Sequence, residues 1–442
     1  MPKNIIVKVI GGGLAGSESA LYLAEKGFKV ELYEMRPKKM TPAHKTGGLA
    51  ELICSSSLKS DNLSTAHGLL KYELRLLNSI VLEAAYNSKV PGGDALCVDK
   101  DKFSFYITNK LINHPNIIIK NEEVTDVSKL MQNANTYAII ATGPLTSADL
   151  INNILSFTGN ENLYFFDAIA PSVEYDSIDF SKTFKQSRYD KGEPAYINCP
   201  VNKEEYYNFI NALVSAEKTN LHLNEEKKTA YYEGCLPVEV MASRGKDTLS
   251  FGMMKPVGLI DPVTMERPYA VLQLRQENED ASVWGLVGFQ TQLKISEQKK
   301  VFTMIPALKN AKFVRFGEVH RNTYLNSPNI LNVFFQMKNN PNLFFAGQVT
   351  GVEGYMESSA SGIIAAINLE RHILGEKLIK FPTETMLGSL QKHISTPVDN
   401  YQPMNSNFGI LSAIKMKGKK IDRKNAKIEI AIKAMNDFIE KI

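Results

Sequence analysis

Two of the four cysteines, Cys54 and Cys235, are candidates for reactive thiols, and the alternative for each is a small buried hydrophobe. Cys54 lies in the polar, serine-rich segment 50–61, and Cys235 stands between a glycine and a Leu-Pro pair. Cys97 and Cys199 lie in surroundings typical of small buried hydrophobes. The thiolate is the nucleophilic form, so a catalytic thiol needs a lowered pKa or an adjacent base.

A glycine-rich turn near the N-terminus predicts a dinucleotide site. It follows the β-branched run 5–10 and precedes a helix-periodic stretch, 17–26, and a second strand, 29–33. The glycines permit a tight turn, a close approach of pyrophosphate and helix-on-strand packing, and an acid after the second strand can bind ribose. The cofactor candidates in this unit are Gly11, Gly12, Gly13, Leu14, Ala15, Gly16 and Glu34.

A second set of turns predicts contacts to the other end of the cofactor. A short strand, 137–141, ends in an Ala-Thr-Gly turn, and a buried strand, 343–346, leads into another glycine-rich turn before a helix, 358–374. A dinucleotide held from two distant stretches is more typical of FAD than of NAD. The candidates here are Thr142, Gly143, Gly347, Gln348, Gly351 and Gly354.

The chain's 442 residues and 44% hydrophobic content suit two structural domains. Strands alternate with helices in the first part, which includes one long expected helix, 68–87, whereas short strands and prolines dominate from about 179 to 327. We therefore predict an α/β fold: an FAD-binding, Rossmann-like domain of the two-dinucleotide-binding type, 1–183 and 325–442, split by an inserted α+β domain, 184–324.

Composition narrows the class of protein. The cysteines form no C-x-x-C pair and have no histidine at metal-ligand spacing, so no metal site or disulfide framework is expected. There is no signal pattern and no apolar run of membrane-spanning length, which predicts a cytoplasmic protein without membrane contact. The net charge of +4 is mild, but lysines and arginines cluster at 415–427, where they either follow phosphates or form a solvated helix face.

Several segments together resemble the folate- and flavin-dependent RNA uridine methyltransferases of the TrmFO type, which are relatives of the GidA flavoproteins. The resemblance covers nearly the whole chain. Its supporting segments are 9–18, the Cys54 loop, 188–192, 233–237, 287–291, 320–323 and 351–355.

The resemblance implies that a methylene group from methylenetetrahydrofolate reaches carbon 5 of a uridine through reduced FAD, with NADPH or NADH as reductant. It also explains two thiols, because uracil carbon 5 becomes nucleophilic only after a thiolate adds at carbon 6. Cys235 matches the family's cysteine for that attack. Cys54 would lie beside the flavin and assist proton handling, and Tyr355 would stack on the ring or the thiol.

RNA contacts are expected from basic residues of the insertion and from the C-terminal cluster, because phosphates attract clustered cations. The target uridine must leave its stack to reach the flavin, which favours a loop or an extruded base. The candidates are Arg244, Lys246, Lys255, Arg275 and Lys294.

The choice of RNA stays open at this stage. The chain departs from the family pattern at Ser56, at 359–361 and at 295–296, positions that bear on RNA specificity more than on chemistry. A tRNA T-loop uridine is the family's usual target, and a large-subunit rRNA uridine is the close variant. The alternatives are GidA-like wobble-uridine modification, which the chain's length disfavours, a flavin oxidoreductase with a small substrate, and a non-catalytic RNA-binding flavoprotein.

Overall fold

The computed structural model describes residues 5–133, 135–159, 162–190, 192–219, 236–413 and 419–441. The strands are β1 (Ile6–Ile10), β2 (Lys29–Tyr33), β3 (Ser57–Ser60), β4 (Lys89–Val90), β5 (Ala95–Val98), β6 (Ile117–Lys120), β7 (Tyr137–Ile140), β8 (Asn162–Ala168), β9 (Ser172–Glu174), β10 (Phe184–Lys185), β11 (Tyr196–Val201), β12 (Ala270–Gln276), β13 (Val283–Leu286), β14 (Phe313–Arg315), β15 (Val319–Leu325), β16 (Gln336–Met337) and β17 (Asn340–Phe345). The α-helices are α1 (Leu14–Glu25), α2 (Ala66–Leu76), α3 (Ile80–Asn87), α4 (Lys100–Ile112), α5 (Val127–Leu130), α6 (Ala148–Thr158), α7 (Lys203–Ser215), α8 (Val238–Ser243), α9 (Thr248–Phe251), α10 (Ile295–Phe302), α11 (Ser327–Ile330), α12 (Tyr355–Ile373), α13 (Met386–Ser395) and α14 (Lys420–Ile439).

A six-stranded sheet, in the order β16-β17-β7-β1-β2-β6, organises the larger core. Its five strands from β17 to β6 pair in parallel, and β16 pairs antiparallel at the edge. Helices cover the sheet, and α1 packs closely on α12 because Gly362 leaves no side chain against Ala15. The Rossmann-like α/β fold predicted from the sequence is confirmed, and β17 joins the sheet from the far side of the insertion.

The second core surrounds an antiparallel six-stranded sheet in the order β10-β11-β12-β13-β9-β14. Its strands begin with β9, earlier than the boundary after residue 183 expected from the sequence. The β8–β15 pair runs antiparallel between the two cores. The same β8–β15 pairing brings both chain crossings of the insertion to one place.

The single helix expected over 68–87 is wrong. The structure has α2 and α3 instead, because Asn78 adopts a positive φ of 55° and Ser79 caps α3 by accepting the Leu82 N–H. The helical spacing of apolar residues continues across the junction between α2 and α3, so periodicity alone could not predict where the helix ends. No helix in the described part of the chain is long and apolar enough to cross a membrane.

Candidate active site

A cavity of about 560 Å³ lies at the carboxyl ends of the parallel strands and reaches the insertion's sheet. In open α/β sheets this edge is the usual place for a ligand. Ten of the cofactor candidates line the cavity together with Cys54, Tyr355 and Arg275. Those ten are Gly11, Gly13, Leu14, Ala15, Glu34, Thr142, Gly143, Gly347, Gln348 and Gly354.

The first glycine turn has the geometry of a phosphate-binding turn. Gly11 has a φ of 102°, and a Cβ there would lie 2.5 Å from the Ala141 carbonyl oxygen. A Cβ on Gly16 would lie 1.8 Å from the Gly11 carbonyl oxygen, so this position sets the approach of helix to strand. A Cβ on Gly13 would meet nothing within 4 Å. Open space therefore stands before the N-terminus of α1, where backbone amides attract phosphate.

Glu34 is held by the same turn. Its Oε2 accepts the Gly12 N–H at 2.9 Å, and its Oε1 accepts Nε of Arg36 at 2.9 Å. Burial would raise the pKa of Glu34, but the hydrogen bonds and charge of Arg36 outweigh it and lower that pKa. Arg36 also donates to Glu51 Oε2 at 3.1 Å. An ionised acceptor thus lies at the end of β2, where an adenosine ribose would be bound.

The second glycine turn brings another backbone and a second helix N-terminus to the cavity. Gly354 has a φ of 119°, and a Cβ there would clash with the Glu357 carboxylate. The next residue, Tyr355, begins α12. Gly351 does not line the cavity, because it faces Tyr401, where a Cβ would lie 2.5 Å from the hydroxyl. The two turns, 11–16 and 347–354, therefore form a glycine-lined cradle that fits FAD at both the pyrophosphate and the ring end.

Cys54 and Tyr355 meet across the cavity wall. The Tyr355 hydroxyl accepts the N–H groups of Cys54 at 2.9 Å and of Ser55 at 3.1 Å. The hydroxyl of Tyr355 therefore fixes the backbone that carries the thiol, and stacking of its ring on flavin or thiol stays a prediction. Burial, with a contribution from the Asp167 charge, raises the pKa of Cys54 to about 12. Cys235 lies outside the described residues.

Glu353 is a further titratable group at this end of the cavity, and sequence reasoning missed it. Burial, with the charge of Asp167, raises the pKa of Glu353 to about 8, and Gln348 donates a hydrogen bond to its carboxylate. Its position between two glycines of the predicted flavin turn was the available signal. An acid that is protonated at neutral pH can donate a proton beside the thiol.

Arg275 differs in location from the other basic residues predicted to bind RNA. Its side chain lines the cavity, and Nη2 donates to Ser55 Oγ at 2.7 Å, next to Cys54. Lys294 lies outside the cavity, 2.5 Å from Glu217 Oε2. The remaining three, Arg244, Lys246 and Lys255, are exposed on the insertion. Of the five candidates, Arg275 alone lines the cavity.

The C-terminal basic cluster lies only partly within the described residues. Arg423 is exposed on α14, and Lys427 donates to the Phe408 carbonyl oxygen at 2.9 Å. Lys415 and Lys417 lie outside the described residues. In the described part of the chain, no group of three or more His, Cys, Asp or Glu side chains is arranged to hold a metal ion.

Comparisons with known proteins connect this site to a family. Residues 6–377 match the family model described as glucose inhibited division protein A. A protein of Lactobacillus acidophilus named methylenetetrahydrofolate–tRNA-(uracil-5-)-methyltransferase TrmFO is 52% identical over 430 residues, which are 97% of this chain and 96% of the relative. The protein of that name from Bacillus subtilis is 52% identical over 417 residues, 94% of each chain.

The fold has a solved counterpart. The structure of Aquifex aeolicus GidA superposes with a TM-score of 0.70 at 18% identity, covering 99% of this chain and 74% of that one. Identity at this level supports the shared fold and carries no functional detail. The two sets of comparisons agree on one architecture.

Proposed function

The chain belongs to the TrmFO family, within the wider GidA family, and from this premise we propose that it methylates carbon 5 of a uridine in tRNA. Methylenetetrahydrofolate would be the carbon donor, and FAD, re-reduced by NADPH or NADH, would be the bound cofactor. The observation that carries the proposal is the 52% identity over 97% of the chain with a relative of that name.

The glycine cradle would hold FAD. The N-terminus of α1 would face the pyrophosphate, Glu34 would accept a ribose hydroxyl, and the turn 347–354 would lie along the ring end. When bound, the flavin would supply the redox chemistry of the reaction. The partial positive charge at the N-terminus of α12 would stabilise negative charge near the ring.

The thiols would have different roles. Cys235, by family resemblance, would add to carbon 6 of the uracil and make carbon 5 nucleophilic. Cys54 has a pKa of about 12 and is a neutral thiol at physiological pH. It is suited to proton handling beside the ring, with Glu353 as a second proton donor and Tyr355 as the residue that positions the loop.

Selectivity for RNA would depend on the insertion. Arg244, Lys246, Lys255 and Lys294 would contact phosphates outside the cavity, whereas Arg275 would act within it. A uridine extruded from a tRNA loop could pass between the insertion and the flavin-binding domain to reach both thiols. The large-subunit rRNA uridine is the alternative target.

The test measures 5-methyluridine formed by the FAD-bound protein with methylenetetrahydrofolate, NADPH and unmodified tRNA or rRNA transcripts. We expect methylation of tRNA, a loss of roughly 10²-fold or more in Cys54→Ala and Cys235→Ala, and normal activity in Cys199→Ala. Cys199 is buried in the insertion's core, away from the cavity. Absence of methyl transfer to both RNAs with FAD fully bound would refute the proposal.

A second measurement separates the thiols. RNA carrying 5-fluorouridine should become covalently trapped by the unaltered protein and by Cys54→Ala, but not by Cys235→Ala. Trapping that persists in Cys235→Ala and disappears in Cys54→Ala would assign the nucleophile to Cys54. Mass spectrometry of tRNA and rRNA from a deletion strain would identify the natural target.

A further inference from the structure

Three cationic side chains converge on one carboxylate where the insertion meets the flavin-binding domain. Arg275 lies on β12 and Glu277 directly follows that strand. Arg315 ends β14, and Lys100 begins α4. Nη2 of Arg315 lies 3.2 Å from Glu277 Oε1, and Ser172 Oγ donates to Glu277 Oε2 at 2.8 Å. We call Lys100, Arg275 and Arg315 the cationic cluster.

The cationic cluster has more buried donors than acceptors. Nζ of Lys100, Nε of Arg275 and Nε of Arg315 are buried and have no hydrogen-bond partner among the described residues. Glu277 is the carboxylate that contacts the cluster. The charges of Lys100, Arg275 and Arg315 all act on the Glu277 carboxylate, and a buried charged group with an unsatisfied donor is costly.

Two acids near the start of α4, Asp99 and Glu279, make contacts away from Lys100 Nζ. Asp99 Oδ1 caps α4 by accepting the N–H groups of Asp101 and Lys102, and its Oδ2 accepts the Glu279 N–H at 2.9 Å. The Glu279 side chain is 59% exposed and pairs with Lys102. These contacts fix the start of α4, and Lys100 Nζ itself has no hydrogen-bond partner among the described residues.

The cationic cluster borders the reaction site. Arg275 and Glu277 line the cavity, and Arg275 donates to Ser55, the neighbour of Cys54. Burial is the largest influence on Lys100 and lowers its pKa to about 8. Burial opposes the negative form of Glu277, but the charges of Lys100 and Arg315 lower the pKa of that carboxylate below its usual value. Glu277 therefore stays ionised, and three buried nitrogens of the cluster still have no hydrogen-bond partner among the described residues.

We propose that Lys100, Arg275 and Arg315 form a subsite that binds an oxyanion, a carboxylate or a phosphate, of a substrate entering the cavity on the insertion side. Guanidinium and ammonium groups recognise both anions through charge-assisted hydrogen bonds. The identity of the source rests on the proposed function, which offers a glutamyl carboxylate of the folate or a phosphate of the RNA. Binding would supply acceptors for the buried nitrogens that have no hydrogen-bond partner among the described residues.

Lys100→Met in the FAD-bound protein tests the subsite, with Lys102→Met as the matched control. Methionine preserves most of the side-chain volume and removes the charge. Lys102 lies on the same helix, is 57% exposed and does not line the cavity. Without ligand, Lys100→Met should unfold at the same temperature as the unaltered protein or a higher one, because an unpaired buried charge is removed. Arg275→Gln serves as a second variant.

The first arm compares tetrahydrofolate with tetrahydropteroate, which lacks the glutamyl group. A carboxylate source predicts that Lys100→Met lowers the affinity for tetrahydrofolate at least about tenfold. The affinity for tetrahydropteroate should fall less, because its benzoate carboxylate ends one glutamyl unit short of the subsite. The second arm measures tRNA affinity against salt concentration. A phosphate source predicts weaker RNA binding and a salt slope smaller by about one. Equal affinities in Lys100→Met and Lys102→Met for every ligand that the unaltered protein binds would overturn the subsite.

A third arm does not depend on methyl transfer. It tests whether the subsite exists even if the protein binds neither folate nor tRNA. Inorganic phosphate should raise the unfolding temperature of the FAD-bound protein, and this rise should be lost in Lys100→Met and Arg275→Gln but kept in Lys102→Met. That pattern without methylation would retain the subsite and reject the proposed function. With no folate or tRNA binding, absence of a phosphate effect in the unaltered protein would reject the subsite as well.

Discussion

The cavity has an adenosine end, near Glu34 and Arg36, and a reaction end, near Cys54 and the cationic cluster. Buried charges are fully paired at the adenosine end but not at the reaction end. At the adenosine end, Glu34 and Arg36 have side chains only 8% and 2% exposed, and they pair with each other at 2.9 Å. At the reaction end, Lys100, Arg275 and Arg315 share Glu277, and each retains a buried nitrogen without a hydrogen-bond partner in the described part of the chain. One end is electrostatically complete and the other is not.

The difference follows from where the residues come from. The partners of the adenosine end lie within residues 11–51, so the β1–α1–β2 unit and the loop that follows it set their geometry. The reaction end combines Cys54, α4, the insertion's strands and the turn before α12, which meet only in the folded chain. A preformed adenosine end suits a resident cofactor, whereas an unbalanced reaction end suits ligands that come and go.

The largest expected effect tests the adenosine end with two neighbouring glycines. Gly16→Val should prevent folding with FAD, because its Cβ would lie 1.8 Å from the Gly11 carbonyl oxygen. Gly13→Ala should fold normally but lose at least about tenfold in FAD affinity, since its Cβ enters only the open space before α1. FAD content and unfolding temperature measure both. Unchanged FAD affinity in Gly13→Ala would show that the pyrophosphate does not bind in that space.

Tyr355→Phe tests the reaction end and should have the second-largest effect. The Cys54 and Ser55 N–H groups would lose their acceptor, at a cost of about 1–3 kcal/mol for each group left buried and unpaired. We expect reduced methyl transfer with FAD retained. In Tyr324→Phe, which removes a hydrogen bond to the Tyr401 carbonyl oxygen outside the cavity, activity should be normal. Equal losses in the two variants would mean that Tyr355 acts through general stability alone.

These two ends also differ in how far the sequence could predict them. The spacing from Gly11 to Glu34 is local, so the strand, turn, helix and acid could be placed from residue types alone. The sequence interpretation missed Arg36 despite its nearness, because an arginine after a strand has no distinctive pattern. Lys100 resembles an ordinary helix start, and nothing in one dimension joins it to Arg275. Long-range pairing of charges was the missing information.

Protonation separates the two ends further. Burial, aided by Asp167 and Glu357 and opposed by Lys59 and Gln348, raises the pKa of Glu353 to about 8. From pH 4.5 to 8 the folded protein holds a proton that the unfolded chain loses. This group's contribution to stability is therefore present at low pH and is lost as the pH rises through that window, by at most about 1.4 kcal/mol per pH unit. Glu34, whose pKa is lowered, contributes above its ordinary pKa and loses that contribution on acidification.

Glu353→Gln should flatten the fall in the free energy of unfolding between pH 5 and 8, as measured by urea titration. Glu73→Gln is the matched control, because burial also raises the pKa of Glu73 to about 8, but its carboxylate accepts the Met386 and Leu387 N–H groups outside the cavity. Both variants should alter the stability profile, and only Glu353→Gln should alter the pH dependence of methyl transfer. An identical activity profile in the two would exclude Glu353 from proton transfer.

The smallest expected effects concern the outer surface, where charged side chains are solvated and are not buried as they are at either end of the cavity. Lys246 is exposed and forms no ion pair within the described residues, while Lys294 lies 2.5 Å from Glu217. Lys246→Ala should therefore lower tRNA affinity and reduce the salt slope by about one if its ammonium group contacts a phosphate. Lys294→Ala should change the tRNA affinity less, because Glu217 already offsets the charge of Lys294. Glu217→Gln should increase the tRNA affinity. A larger loss of tRNA affinity in Lys294→Ala than in Lys246→Ala would mean that RNA displaces Glu217 from Lys294. An ion pair on the surface would then open to bind a ligand.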